Sequence, residues 1–250
     1  MESLTSVDGT RIAYLIEGDG DPVLMLHGFA SDSFRNWIRT GIAESLRNAG
    51  FQTIVFDARG HGRSDKPHEP HAYEGGAMRR DAQALLDHLG VVNQVRLLGY
   101  SMGARVGVAL LRQDPRVRSA VLGGIGYNFF RKQPNRERIA DALVAEDLSG
   151  FEASPLAFRT FAEATKADRL ALSAAMRSGA GSEKISDDDL RRIDKPVLVI
   201  CGDRDTLAGP PSELANLMGT AEPLVVSGDH LTAVGDPRFV NSIIEFFGKN

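Results

Sequence analysis

The sequence predicts an α/β protein: a mostly parallel, eight-stranded sheet flanked by helices, with a small helical cap. Three observations carry this. Short apolar, β-prone runs alternate with stretches of helical periodicity. Several of the runs are apolar at every position, as strands covered on both faces are. Chemically capable residues recur directly after those runs, at the carboxyl ends where open parallel sheets hold ligands.

The chain opens on a hairpin, with Asp8-Gly9 as its turn and a returning strand over 11–16. A second turn over 18–22 leads into the apolar run Val23-Leu24-Met25-Leu26. A helix is predicted over 33–48, with Phe34, Trp37, Ile38, Ile42 and Leu46 at helical spacing and Gly50 as its stop. A strand over 53–56, a helix over 78–89, a strand over 94–98 and a helix over 102–112 continue the alternation. A strand over 117–122 follows. The alternation then halts, and it resumes with strands over 196–200 and 224–226 and a closing helix over 237–247.

The halted interval is too long for an unstructured loop. Helical patterns are readable in it over 135–148, 155–165, 170–176 and 187–193. This divides the chain into a core over 1–126 and 194–250 and a helical cap over 127–193. Apolar faces on such short helices need a surface to pack on, and the open mouth of the core is one. Such a cap would enclose an apolar pocket suited to a small or medium ligand. Trp37, Tyr127, Phe129 and Phe130 are candidate lining residues.

With 250 residues, 42% hydrophobic and 25% charged, the chain reads as a soluble globular protein with a sizeable core. A net charge of −4 without a basic stripe offers nothing to nucleic acid. No apolar run approaches a membrane span and the start lacks a secretory pattern, so a cytoplasmic location is expected. The single cysteine, Cys201, precludes an intrachain disulfide and fits a reducing compartment. Homo-oligomerisation is left open.

Gly99-Tyr100-Ser101-Met102-Gly103 reads G-x-S-x-G between a predicted strand and a predicted helix. A serine on such a turn presents its hydroxyl at the sheet end, and the N–H groups that open the helix face the same space. That suits Ser101 as a nucleophile and the Met102 N–H as an oxyanion donor. A serine hydroxyl needs a base. After two later strands come Gly202-Asp203-Arg204-Asp205 and Gly228-Asp229-His230, completing the order Ser, Asp, His known from one convergent triad arrangement. His230 is therefore the candidate base.

Together with His27-Gly28 and Asp57-x-Arg59-Gly60-His61-Gly62-x-Ser64, these motifs run the length of the chain. The sequence resembles the α/β-hydrolase fold superfamily, in its branch of small serine hydrolases. The resemblance implies Asp205 rather than Asp203 as the acid that orients His230, and the Phe29 N–H as the second oxyanion donor. It also implies structural roles for His27 and His61. A serine at the elbow disfavours haloalkane dehalogenase and epoxide hydrolase readings, because those relatives use aspartate there. The expected chemistry is cleavage of a small-molecule ester through an acyl-enzyme on Ser101, needing no metal or organic cofactor. The same residues would serve a lactonase, a thioesterase, a carbon–carbon bond hydrolase or a cofactor-free perhydrolase. They would also be compatible with a ligand receptor that retains the pocket.

Overall fold

The computed structural model describes residues 1–131, 135–179, 181 and 183–250. Eight strands form one sheet: β1 (Glu2–Thr5), β2 (Arg11–Glu17), β3 (Asp21–Leu26), β4 (Phe51–Phe56), β5 (Val95–Tyr100), β6 (Val117–Gly123), β7 (Val197–Gly202) and β8 (Ala221–Val226). Their order is β1-β2-β4-β3-β5-β6-β7-β8. Only β2 runs against its neighbours, which places the opening hairpin at one edge. The central strands are covered twice. Leu24 and Leu26 of β3 and Leu97 of β5 face one core, whereas Val23, Met25, Leu98 and Tyr100 face the other.

Helices cover both faces. On the first lie α2 (Ala77–His88), α3 (Met102–Gln113) and α9 (Pro211–Met218), through residues such as Leu85, Leu110 and Leu214. On the second lie α1 (Ile42–Asn48) and α10 (Pro237–Lys249), through Leu46, Phe239, Ile243 and Phe247. Fully burying each such side chain contributes about 1.5–3 kcal/mol.

The helix predicted over 33–48 is two elements. A π-helical turn spans Phe34–Ile38, closed by an i→i−5 bond from the Arg39 N–H to the Phe34 carbonyl (2.8 Å). The chain then turns at Gly41 in left-handed conformation (φ 76°) before α1 begins. Phe34, expected on the buried stripe, is 55% exposed, because the wider turn rotates it away from the core.

Between β6 and β7 the chain builds α4 (Asn128–Arg131), α5 (Arg136–Val144), α6 (Ala153–Thr165), α7 (Arg169–Ser178) and α8 (Asp187–Arg191). Ile139, Leu143, Ala162 and Leu172 form a small core of their own, which reaches the sheet end through Ala30 and Phe29. Ala175, Leu190 and Ile193 belong instead to the main core. The helix predicted over 135–148 stops at Val144. α9 and α4 were not read from the sequence.

Candidate active site

The strand β5 ends in a turn that holds Ser101 at φ 52°, ψ −111°, a conformation an L-residue keeps only when its surroundings enforce it, at a cost of about 1–3 kcal/mol. The enforcement is visible. The Ser101 N–H donates to the Gly123 carbonyl at the end of β6 (2.9 Å), and its own carbonyl accepts from the Arg105 N–H in α3 (3.1 Å). A Cβ on Gly99 would lie 2.7 Å from Ala104 Cα, and one on Gly103 would lie 2.1 Å from the Leu26 carbonyl oxygen. The two glycines thus let α3 start flush against β5 and β3. Gly103→Ala is expected to lower stability by about 1–3 kcal/mol or more, because backbone must move to admit the methyl group. A melting temperature equal to that of the unmodified chain would contradict this.

His230 Nε2 lies 2.9 Å from Ser101 Oγ, and His230 Nδ1 lies 2.8 Å from Asp205 Oδ2. With Nδ1 donating to a carboxylate, Nε2 is left to accept the serine hydroxyl proton. The Asp205 carboxylate is enclosed, and its Oδ1 accepts from the Ala208 N–H (2.9 Å). The rival Asp203 is exposed and points elsewhere: its Oδ1 accepts from the Gly228 N–H (2.8 Å), tying the loop after β7 to the loop after β8. Asp229 caps the next turn, accepting from the N–H groups of Leu231 and Thr232 (both 2.9 Å). His230 is held from two further sides. Tyr100 donates its hydroxyl to the His230 carbonyl (2.8 Å), and the Phe129 ring stacks on the imidazole (centroids 6.2 Å apart, 24° between planes).

The N–H groups expected as oxyanion donors lie in the loops after β3 and β5. Met102 opens α3, so its N–H has no partner within the helix, and among the described residues it has none elsewhere. In the loop after β3, the Gly28 N–H is taken by Asn36 Oδ1 (3.0 Å), whereas the Phe29 N–H donates to none of the described residues. Asn36 is a positioning residue that the sequence reading did not single out. His27 braces this loop, donating from Nδ1 to the Gly28 carbonyl (2.8 Å) and accepting at Nε2 from the Ala58 N–H (3.0 Å).

Residues 57–64 form a brace and lie outside the Ser-His-Asp chain. Asp57 accepts from the Ser33 N–H (2.9 Å), the Ser33 hydroxyl (2.6 Å) and the Arg63 N–H (2.7 Å). Arg59 is bidentate to buried Asp81, through Nε (2.7 Å) and Nη2 (2.6 Å). His61 is buried beside His27 and donates from Nδ1 to the Arg59 carbonyl (2.9 Å). Burial, then the neighbouring His27, hold its pKa down at about 3. Between about pH 6.5 and this value, unfolded His61 binds a proton that the folded ring refuses. Its contribution to stability is therefore present in full above about pH 6.5 and declines on acidification, by up to about 1.4 kcal/mol per pH unit. His61→Gln should flatten the fall in melting temperature between pH 7 and pH 4, relative to the unmodified chain. An equally steep fall in the variant would refute the assignment.

A cleft of about 390 Å³ opens onto Ser101 and His230. One wall is the π-turn, through Arg35, Asn36, Arg39 and Thr40; the other is the end of α6, through Phe161 and Thr165. This corrects two expectations. The cleft is not apolar throughout. Moreover, three of the four aromatic residues nominated as its lining are engaged elsewhere. Trp37 is fully buried in the second core, on the apolar stripe it shares with Ile38 and Ile42. Tyr127 is buried, donates to the carboxylate of Asp187 (2.8 and 2.9 Å) and lies under the Arg131 guanidinium. Phe130 lies under Arg105. Phe129 lies outside the lining of the cleft and reaches the site through its stacking on His230. Among the described residues no group of three or more His, Cys, Asp or Glu is placed to hold a metal ion. No helix in them is long and apolar enough to cross a membrane.

An eight-stranded, mostly parallel sheet with a serine elbow defines a hydrolase of the α/β fold. The chain belongs to the α/β-hydrolase fold family, whose model matches residues 21–186. A thermophilic esterase from Thermogutta terrifontis is similar in structure, with a TM-score of 0.79 and 25% identity over 99% of this chain and 98% of that one. The esterase RhEst1 from Rhodococcus sp. superposes with a TM-score of 0.72 and 28% identity, over 99% and 98% of the two chains. A Bacillus subtilis protein provisionally named 2-succinyl-6-hydroxy-2,4-cyclohexadiene-1-carboxylate synthase is 26% identical, over 98% of this chain and 97% of its own.

Proposed function

We propose that the protein is a serine hydrolase that cleaves small or medium carboxylic esters through an acyl-enzyme on Ser101. The observation that carries this is the unbroken hydrogen-bond chain Ser101–His230–Asp205 at the floor of the cleft. Ser101 Oγ attacks the ester carbonyl as His230 Nε2 takes its proton. The Phe29 and Met102 N–H groups receive the oxyanion, and Asp205 stabilises the imidazolium. Collapse breaks the ester C–O bond, and His230 gives its proton to the departing alkoxide. Water then attacks the acyl-enzyme with His230 again as base, releasing the acid and restoring Ser101. Residues 127–193 act as the lid, with the end of α6 walling one side of the cleft. The family resemblance and the two esterases of known structure support this reading.

A series of p-nitrophenyl esters of increasing acyl length tests it, together with labelling by a fluorophosphonate. Turnover should peak at short or medium chains and fall for long ones, as a cleft of this size requires. The fluorophosphonate should modify Ser101. Absence of both turnover and labelling would overturn the proposal.

A further inference from the structure

Arg35 and Arg39 both face the cleft, and they differ in one respect. Arg35 is neutralised: its Nη1 is ion-paired with Asp32, and its Nη2 donates to the Thr165 carbonyl (2.8 Å), bridging the two walls. Arg39 is exposed, and among the described residues its guanidinium takes part in no ion pair and no hydrogen bond. The lining of the cleft contains no aspartate or glutamate. Asp205 lies behind His230, and Asp229 is occupied in its own turn. The cleft therefore carries one uncompensated positive charge, on the wall beside the nucleophile.

The backbone accounts for this placement. Arg39 closes the π-turn over 34–38, and an i→i−5 turn brings residues four and five apart onto one side, which is how Arg35, Asn36, Arg39 and Thr40 share the wall.

We propose that Arg39 is a specificity residue for substrates bearing a carboxylate apart from the scissile carbonyl, such as half-esters of dicarboxylic acids. This rests on the ester-hydrolase reading above. A guanidinium matches a carboxylate in shape and charge, and with Arg35 pinned by Asp32 and Thr165 the free fork of Arg39 is the one available to it.

The experiment compares kcat/KM for paired esters at low ionic strength. Mono-p-nitrophenyl glutarate is set against p-nitrophenyl butyrate, placing the charge on the acyl side. 4-Carboxyphenyl butyrate is set against phenyl butyrate, placing it on the alcohol side. The charged member of at least one pair should be preferred by about tenfold, chiefly through KM. Arg39→Gln should remove most of that preference, Arg39→Lys should keep part of it, and Arg39→Glu should invert it. Raising the ionic strength to about 0.5 M should shrink it, since the site is open to solvent. Hydrolysis of the neutral esters with no charge preference, or with a preference that Arg39→Gln leaves intact, would overturn this inference and leave the ester-hydrolase reading standing. Failure to hydrolyse any of the four esters would overturn both.

Discussion

Ser101→Ala is expected to lower kcat by about 10⁴-fold or more, with the residual rate carried by the oxyanion donors and the cleft alone. Three features make the effect this large. Among the described residues the hydroxyl is the one hydrogen-bond partner of the imidazole Nε2 (2.9 Å), so its loss leaves the proposed base without a nucleophile to deprotonate. Its backbone is held at φ 52° by the Gly123 and Arg105 contacts, and alanine inherits the same strain. The fold is therefore retained, and the loss reads as chemistry. Ground-state binding persists, so KM should change far less than kcat. Steady-state turnover of a p-nitrophenyl ester, with circular dichroism as the control for folding, decides the matter. A well-folded variant keeping more than about a hundredth of the activity would place the nucleophile elsewhere.

Asp205→Asn should cost nearly as much, about 10⁴-fold in kcat, while Asp203→Asn should cost less than about tenfold. An amide at position 205 turns its NH₂ toward Nδ1 of His230. The imidazole proton then moves to Nε2, and the ring faces Ser101 as a donor instead of an acceptor. Asp203 sits two residues earlier, and its carboxylate receives the Gly228 N–H and an exposed Arg204 guanidinium on the turn. An amide oxygen can replace that acceptor at little cost. The pair thus separates the acid that orients the base from the one that shapes its loop. Equal losses in both variants, or a larger one in Asp203→Asn, would reverse the assignment. His230→Ala should resemble Ser101→Ala, since the two groups act as a unit.

Much of this site is legible along the chain because a parallel sheet delivers its strand ends to one edge. The apolar runs locate β3, β5, β7 and the end of β8, and Gly28, Ser101, Asp205 and His230 each lie in the loop that follows. The choice between Asp203 and Asp205 was not legible from spacing, because both stand within one turn of the same strand; the resemblance favoured Asp205. The π-turn was less legible still. Phe34, Trp37 and Ile38 fit a regular helix, and a widened turn with a break at Gly41 leaves no trace in apolar periodicity. The outward placement of Phe34 depended on that turn. The engagement of Asn36 with Gly28 was hidden for the same reason, since it depends on a contact that only the folded loop creates.

The pairing of Tyr100 with the His230 carbonyl has a consequence for biosynthesis. Ser101 and His230 lie 129 positions apart, and the Tyr100 hydroxyl clasps the last loop before α10 to the central strand. Synthesis proceeds from the N-terminus, and contacts this distant in sequence close late. A nascent chain therefore carries Ser101 through most of translation without its His230 partner. The Ser101–His230 contact is completed only when the segment after β8 docks against the end of β5.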